Sequence, residues 1–118
     1  MSEQGTPPNT DSLSYLQGRF RAFRDARDWQ QFHTPKSTAA NVVIEAAELL
    51  DCYRWTEAPA NRQAAVDEAA DVLHALFAYC DAERIDLAAA FLEKLAKTAA
   101  KYPVEKSKGN NAKYTTLQ

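Results

Sequence analysis

From Arg19 to Lys108 the chain contains no glycine. Tight hairpin turns and left-handed connections draw on glycine because it adopts positive φ without steric cost. A stretch this long without one excludes an all-β fold. It also excludes phosphate cradles of the P-loop or dinucleotide-binding type, which place several glycines at fixed spacing. Alanine supplies 22 residues, and glycine plus proline only 8 of 118, below the usual share of roughly 12%. The chain is expected to be mostly helical and to form one domain.

Charge narrows the partners. Fourteen Lys and Arg stand against 16 Asp and Glu, a formal net charge of −2, too balanced for a protein that coats a nucleic acid polymer or an anionic membrane. No apolar run reaches the ~18 residues of a membrane span. Residues 1–11 are polar, contain two prolines and lack the basic-then-apolar order of a leader peptide, so they read as a disordered lead-in. Cys52 and Cys80 are isolated thiols without zinc spacing, expected as small buried hydrophobes in a reducing, cytoplasmic setting.

Four helices are expected. Leu13, Leu16, Phe20 and Phe23 recur at three- and four-residue intervals, which predicts a first helix from about Ser12 to Arg27. Residues 28–35, DWQQFHTP, form a connector that carries three large rings. A second helix is expected from about Ser37 to Trp55. A third begins after Pro59, taken as a first-turn proline, and continues to about Glu83. Asp86 reads as the N-cap of a fourth helix that ends near Tyr102, where Pro103 stops it. Residues 12–102 make a four-helix bundle-like, all-α domain, and 103–118 read as an extended arm.

The informative feature is a set of acids on apolar faces. Wound as a helix, Glu45 falls between Val42, Leu49 and Cys52, with Glu48 about 60° to one side. On the third helix Glu68 is surrounded by Ala64, Val72, Ala75 and Tyr79, and Asp71 flanks it. Each helix thus presents a pair of carboxylates one turn apart. A solvated face fits poorly, because opposite faces already hold polar residues such as Arg54, Asp67 and Arg84. Too few basic residues share the acidic faces to neutralise four carboxylates, and uncompensated burial of one costs several kcal/mol. A divalent cation resolves this, and an all-oxygen set suits Mg²⁺ or Mn²⁺ rather than zinc.

Other metal chemistries fit less well. A di-iron bundle uses an acid-x-x-His repeat on two helices, and this chain has only Asp71-x-x-His74. Mg²⁺ held by carboxylates normally meets substrate phosphates. The rings of Trp29, Phe32, His33 and Trp55 suit the other half of such a ligand, a flat base that stacks, although by spacing alone either Trp is equally a core residue.

Glu45-x-x-Glu48 followed by Glu68-x-x-Asp71 resembles the metal motif of the all-α nucleotide pyrophosphohydrolases, the MazG-like superfamily that includes dimeric dUTPases. The segments RDWQQFHTPK (27–36), EAAELLDCYRW (45–55), DEAADVL (67–73), KYP (101–103) and KYTTL (113–117) are similar to its dCTP pyrophosphatase branch. The resemblance implies hydrolysis of dCTP, or a 5-modified dCTP, to the monophosphate and pyrophosphate. It implies that Glu45, Glu48, Glu68 and Asp71 hold Mg²⁺ on the triphosphate, while Trp29, Gln30, Gln31, Phe32 and His33, with Trp55, enclose base and sugar. Glu48, off the centre of the apolar stripe, is the expected base that activates water, with Asp51 as its helper. Lys94, flanking the stripe of the fourth helix, either reaches a phosphate or is solvated. Some relatives carry His where this chain has Phe20, Tyr where it has Ala75, and Asn where it has Thr98, changes that bear on base selectivity.

The resemblance also implies a dimer or tetramer. The second helix agrees, since Val42, Val43, Ile44, Leu49, Leu50 and Tyr53 point in divergent directions that four short helices cannot all cover. Two rival functions are the same chemistry on dUTP or a damaged purine triphosphate, and a non-catalytic helical interaction module.

Overall fold

A computed structural model describes residues 12–116; the expected lead-in at 1–11 lies outside them, as do Leu117 and Gln118. Among the described residues there are helices and no strand, as an all-α chain requires. The chain divides into two compact units, one through Ile85 and the other from Asp86 onward.

In the first unit, α1 spans Leu13–Asp25 and opens on Ser12, whose hydroxyl accepts from the Tyr15 amide at 3.1 Å. The connector is not open coil. It holds a 3₁₀ turn, Trp29–Phe32, entered through Asp28 in the left-handed conformation with φ 58°. Next comes α2, Pro35–Asp51. Pro35 sits inside its first turn rather than ahead of it, because Thr34 and Ser37 form a reciprocal capping box with both bonds at 3.0 Å. The helix ends at Asp51, so Trp55 is not its last residue; Cys52 is the C-cap and a turn follows. Asp51 instead pairs with Arg54 in that turn.

The next helix, α3, spans Arg62–Glu83 and is capped by the Asn61 side chain, so Pro59 lies before it and not in its first turn. It stops at Arg84, left-handed with φ 60°, whose amide donates to the Cys80 and Asp81 carbonyls. Glycine commonly fills such a position. α3 is the core of the unit: Ala65, Ala75, Phe77, Ala78 and Cys80 are buried, and α2 packs along it. Cys80 is buried and Cys52 half-buried, and both are free thiols.

In the second unit α4 spans Leu87–Lys101 and begins at Asp86, whose carboxylate accepts from the Ala89 amide at 3.1 Å. The segment expected to be extended carries a short helix, α5, Val104–Ser107, and a 3₁₀ turn, Tyr114–Thr116. It folds back on the end of α4, where the Tyr102 and Tyr114 rings meet edge to face at 6.0 Å and Lys101 lies over Tyr114 at 4.8 Å. Aromatic area, rather than backbone pattern, holds this tail. No described helix is long and apolar enough to cross a membrane.

Candidate metal and nucleotide site

Close packing of α2 on α3 brings Glu45, Glu48 and Glu68 together: one oxygen from each lies within 4.8 Å of the others. Glu45 and Glu68 are half-buried and Glu48 is exposed. Burial, then repulsion from Glu48 and Asp71, holds the Glu45 carboxyl above its ordinary pKa. Glu68 is shifted the same way, by burial and then by Glu48. Among the described residues no Lys or Arg pairs with any of the three. Glu68 Oε2 is buried with no hydrogen-bond partner. An orphaned carboxylate oxygen among crowded acids fits a hard divalent cation, which takes oxygen donors. Asp71 stands apart from this trio and faces His74, with Oδ1 3.7 Å from Nδ1.

Beside the acids a cavity of about 740 Å³ opens between α1, the 3₁₀ turn, α2 and α3. Glu45 and Asp71 line it, as do Phe20, Phe23, Trp29, His33, Asn41 and His74. Six of its lining side chains carry rings: Phe20 stacks on His74 at 6.1 Å and 22°, and Phe23 meets Trp29 edge to face at 5.6 Å. Ala75, 3% exposed, contributes only a methyl group to the lining. Carboxylates at one end and aromatic faces along the rest suit a ligand with a charged, metal-binding tail and a flat head.

The residues singled out from sequence divide accordingly. Trp29, His33, Glu45 and Asp71 share the large cavity, and Gln30 lines a smaller neighbour of about 340 Å³. Gln31 caps its own turn by donating to the Asp28 carbonyl at 2.9 Å. Phe32 and Trp55 line neither cavity, and Trp55 is 87% exposed on the turn after α2. Lys94 belongs to α4 in the second unit and is exposed.

Sequence reasoning missed a second charged cluster. Asp81 accepts from Arg21 Nε and Nη2, Arg24 Nη1 and Gln17 Nε2, at 2.7–3.4 Å. Burial pushes the Asp81 carboxyl up, but the Arg21 hydrogen bond and the charges of Arg21 and Arg24 outweigh it, and the net shift is downward. These contacts tie α1 to α3 and so frame the cavity. Burial and the nearby Arg24 charge lower the pKa of His33 and favour its neutral ring. The signal was available: Asp81 is an acid beside buried Phe77, Ala78 and Cys80, the same anomaly that flagged Glu45 and Glu68.

No family model matches the chain. Among curated proteins it is 33% identical to dCTP pyrophosphatase 1 of Bos taurus, covering 93% of this chain and 69% of that protein. It is 34% identical to the Mus musculus protein of the same name and 31% to the Homo sapiens one, covering 93% of this chain and 68% of each. Among solved structures it superimposes on a pyrophosphatase from Archaeoglobus fulgidus DSM 4304 with a TM-score of 0.71 and 33% identity, over 84% of this chain and 99% of that one. An all-helical fold with acids gathered across two packed helices is thus the scaffold of an all-α pyrophosphatase, a hydrolase. Within that class the chain belongs to the dCTP pyrophosphatase family, in its MazG-like superfamily.

Proposed function

We propose that this protein hydrolyses dCTP, or a 5-modified dCTP, between the α and β phosphates to give dCMP and pyrophosphate, clearing the nucleotide pool. The observation that carries the proposal is the trio Glu45, Glu48 and Glu68, unneutralised within 4.8 Å, with Glu45 also lining a cavity that holds Phe20, Phe23, Trp29 and His74. Glu45, Glu48 and Glu68 hold a divalent cation, Mg²⁺ with Mn²⁺ as a substitute, and Asp71 completes the set from the next turn of α3. Bound there, the ion supplies charge neutralisation at the phosphates and lowers the pKa of a coordinated water.

The chain's own groups do the rest. Glu48, the exposed member of the trio, takes the proton from the attacking water, with Asp51 one turn further along α2 to assist. Glu45, half-buried on α2 and lining the cavity, joins the acids to the rings. Trp29 and His33, which line the cavity, hold the base and sugar, and Gln30 lines the smaller cavity beside them.

The active form is a homodimer or homotetramer in the cytoplasm. Val43, Ile44 and Leu50 on α2, and Phe91, Leu92 and Leu95 on α4, are exposed, more apolar area than a lone helical chain leaves to water. Incubation with dCTP and Mg²⁺ tests the reading. Glu45→Gln and Glu68→Gln are expected to lose turnover at least ~100-fold; full activity in both removes the site.

A further inference from the structure

Arg24 is a charged group in the cavity wall that the carboxylate site does not use as a ligand and whose side chain is largely covered. Its side chain is 12% exposed, and it borders both the large cavity and the small one beside it. Nε donates to Asp25 Oδ1 and Nη1 to Asp81 Oδ2, each at 2.8 Å. The guanidinium also lies 5.7 Å from the Phe20 ring centre, which further restricts it. Among the described residues the Nη2 amino group has no acceptor. A guanidinium is planar, and fixing two of its nitrogens fixes the third. The result is a donor of set direction with no acceptor among the described residues.

Its place along the cavity says what it meets. Asp71 faces His74, His74 stacks on Phe20, Phe20 lies under Arg24, and Arg24 is held by Asp81. Asp71 and Asp81 are separated by about 15 Å of helix at the usual rise per residue. A nucleotide with its phosphates at the carboxylates therefore extends its base past the Phe20–His74 stack toward Arg24. The charge of Arg24 is already balanced by Asp25 and Asp81, so it offers hydrogen bonds rather than free positive charge. Asp81 would also repel a triphosphate brought to this end. A neutral acceptor edge fits both conditions, and a phosphate fits neither.

We propose that Arg24, pinned by Asp25 and Asp81, donates from Nη2 to a carbonyl oxygen or ring nitrogen on the base edge, and is a specificity-determining residue of the site. This rests on the nucleotide reading of the cavity given above. Asp81 is a positioning residue for Arg24, with no substrate contact of its own.

The test is calorimetric titration, with Mg²⁺ present, of three probes: dCMP, 2-deoxyribose 5-phosphate and inorganic triphosphate. Arg24→Gln is expected to weaken dCMP binding about tenfold or more, the value of a hydrogen bond from a charged donor, and to leave the other two probes within twofold. Arg24→Lys keeps the charge beside Asp81 but lacks the planar fork; it should show the same pattern with native helicity, which covers the case that Arg24→Gln fails to fold. Unchanged dCMP binding in a folded variant overturns the proposal. Equal loss for inorganic triphosphate also overturns it, by assigning Arg24 to phosphate. Should the wild type hydrolyse dCTP while Arg24→Lys keeps the wild-type KM, this inference alone falls. Should the wild type show the dCMP pattern yet hydrolyse no triphosphate, the base contact stands and the pyrophosphohydrolase reading falls.

Discussion

Asp81→Ala is the sharpest perturbation of the frame around the cavity. The carboxylate is 13% exposed and receives both Arg21 and Arg24. Removing one partner of a buried pair costs about 3–5 kcal/mol, chiefly because the other charge is stranded. Two features lower that figure here. Arg21 is half-exposed, so its share is that of a surface pair, about 0–1 kcal/mol; Arg24 keeps Asp25 at 2.8 Å. The expected loss at pH 7 is therefore about 2–3 kcal/mol. In urea that moves the unfolding midpoint down by about 1–2 M.

The same pair carries a pH signature. The folded pKa of Asp81 lies below its unfolded value, so its contribution is complete above about pH 4 and is lost as pH falls through the folded pKa. The gap between wild type and Asp81→Ala should be full at pH 7 and should narrow as pH falls below about 4. Paired with Arg24→Met in a double-mutant cycle, the two losses should be strongly non-additive. A gap under about 0.5 kcal/mol at pH 7, typical of an ordinary surface substitution, refutes the anchoring role. So does a gap that does not change with pH.

Further outcomes follow from other parts of the fold. Phe77, 2% exposed and packed 6.0 Å from the Phe20 ring, is the centre of the core, and Phe77→Ala should cost about 3–5 kcal/mol by urea titration. Arg84→Gly should stabilise by about 1 kcal/mol, since it relieves a left-handed residue at the end of α3; a loss of stability contradicts the cap geometry. Glu45 and Glu68 have raised folded pKa values, so without divalent ions their charges oppose folding increasingly as pH rises from about 4 through those values. Glu68→Gln should therefore gain on the wild type as pH rises across that window, and added Mg²⁺ should raise the melting temperature of the wild type but not of the variant.

Much of this was legible in the sequence because it is local. The Asp86 cap and the stripe of Leu13, Leu16, Phe20 and Phe23 need only short-range pattern, and the carboxylates one turn apart need only the helical period. Where the chain lacks punctuation the reading overran. Apolar residues continue past Asp51 and no glycine or proline interrupts before Pro59, so α2 was expected to reach Trp55. At the other end proline was treated as a barrier, whereas the Thr34–Ser37 capping box places Pro35 inside the helix. The tail hides its order in a Tyr102–Tyr114 contact that no periodicity reveals. Arg24 and Asp81 are harder still. Arg24 looks like one more solvated arginine on α1 until the fold sets it against an acid 57 residues away.

The central claim is that carboxylates shared between α2 and α3 turn a helical chain without glycine loops into a pyrophosphohydrolase. The most direct measurement is the product pattern from dCTP with and without Mg²⁺, for the wild type and for Glu45→Gln and Glu68→Gln. dCMP and pyrophosphate are expected in equal amounts, only with the divalent ion, and only from the wild type. Release of orthophosphate and dCDP, or turnover that survives both substitutions, contradicts it.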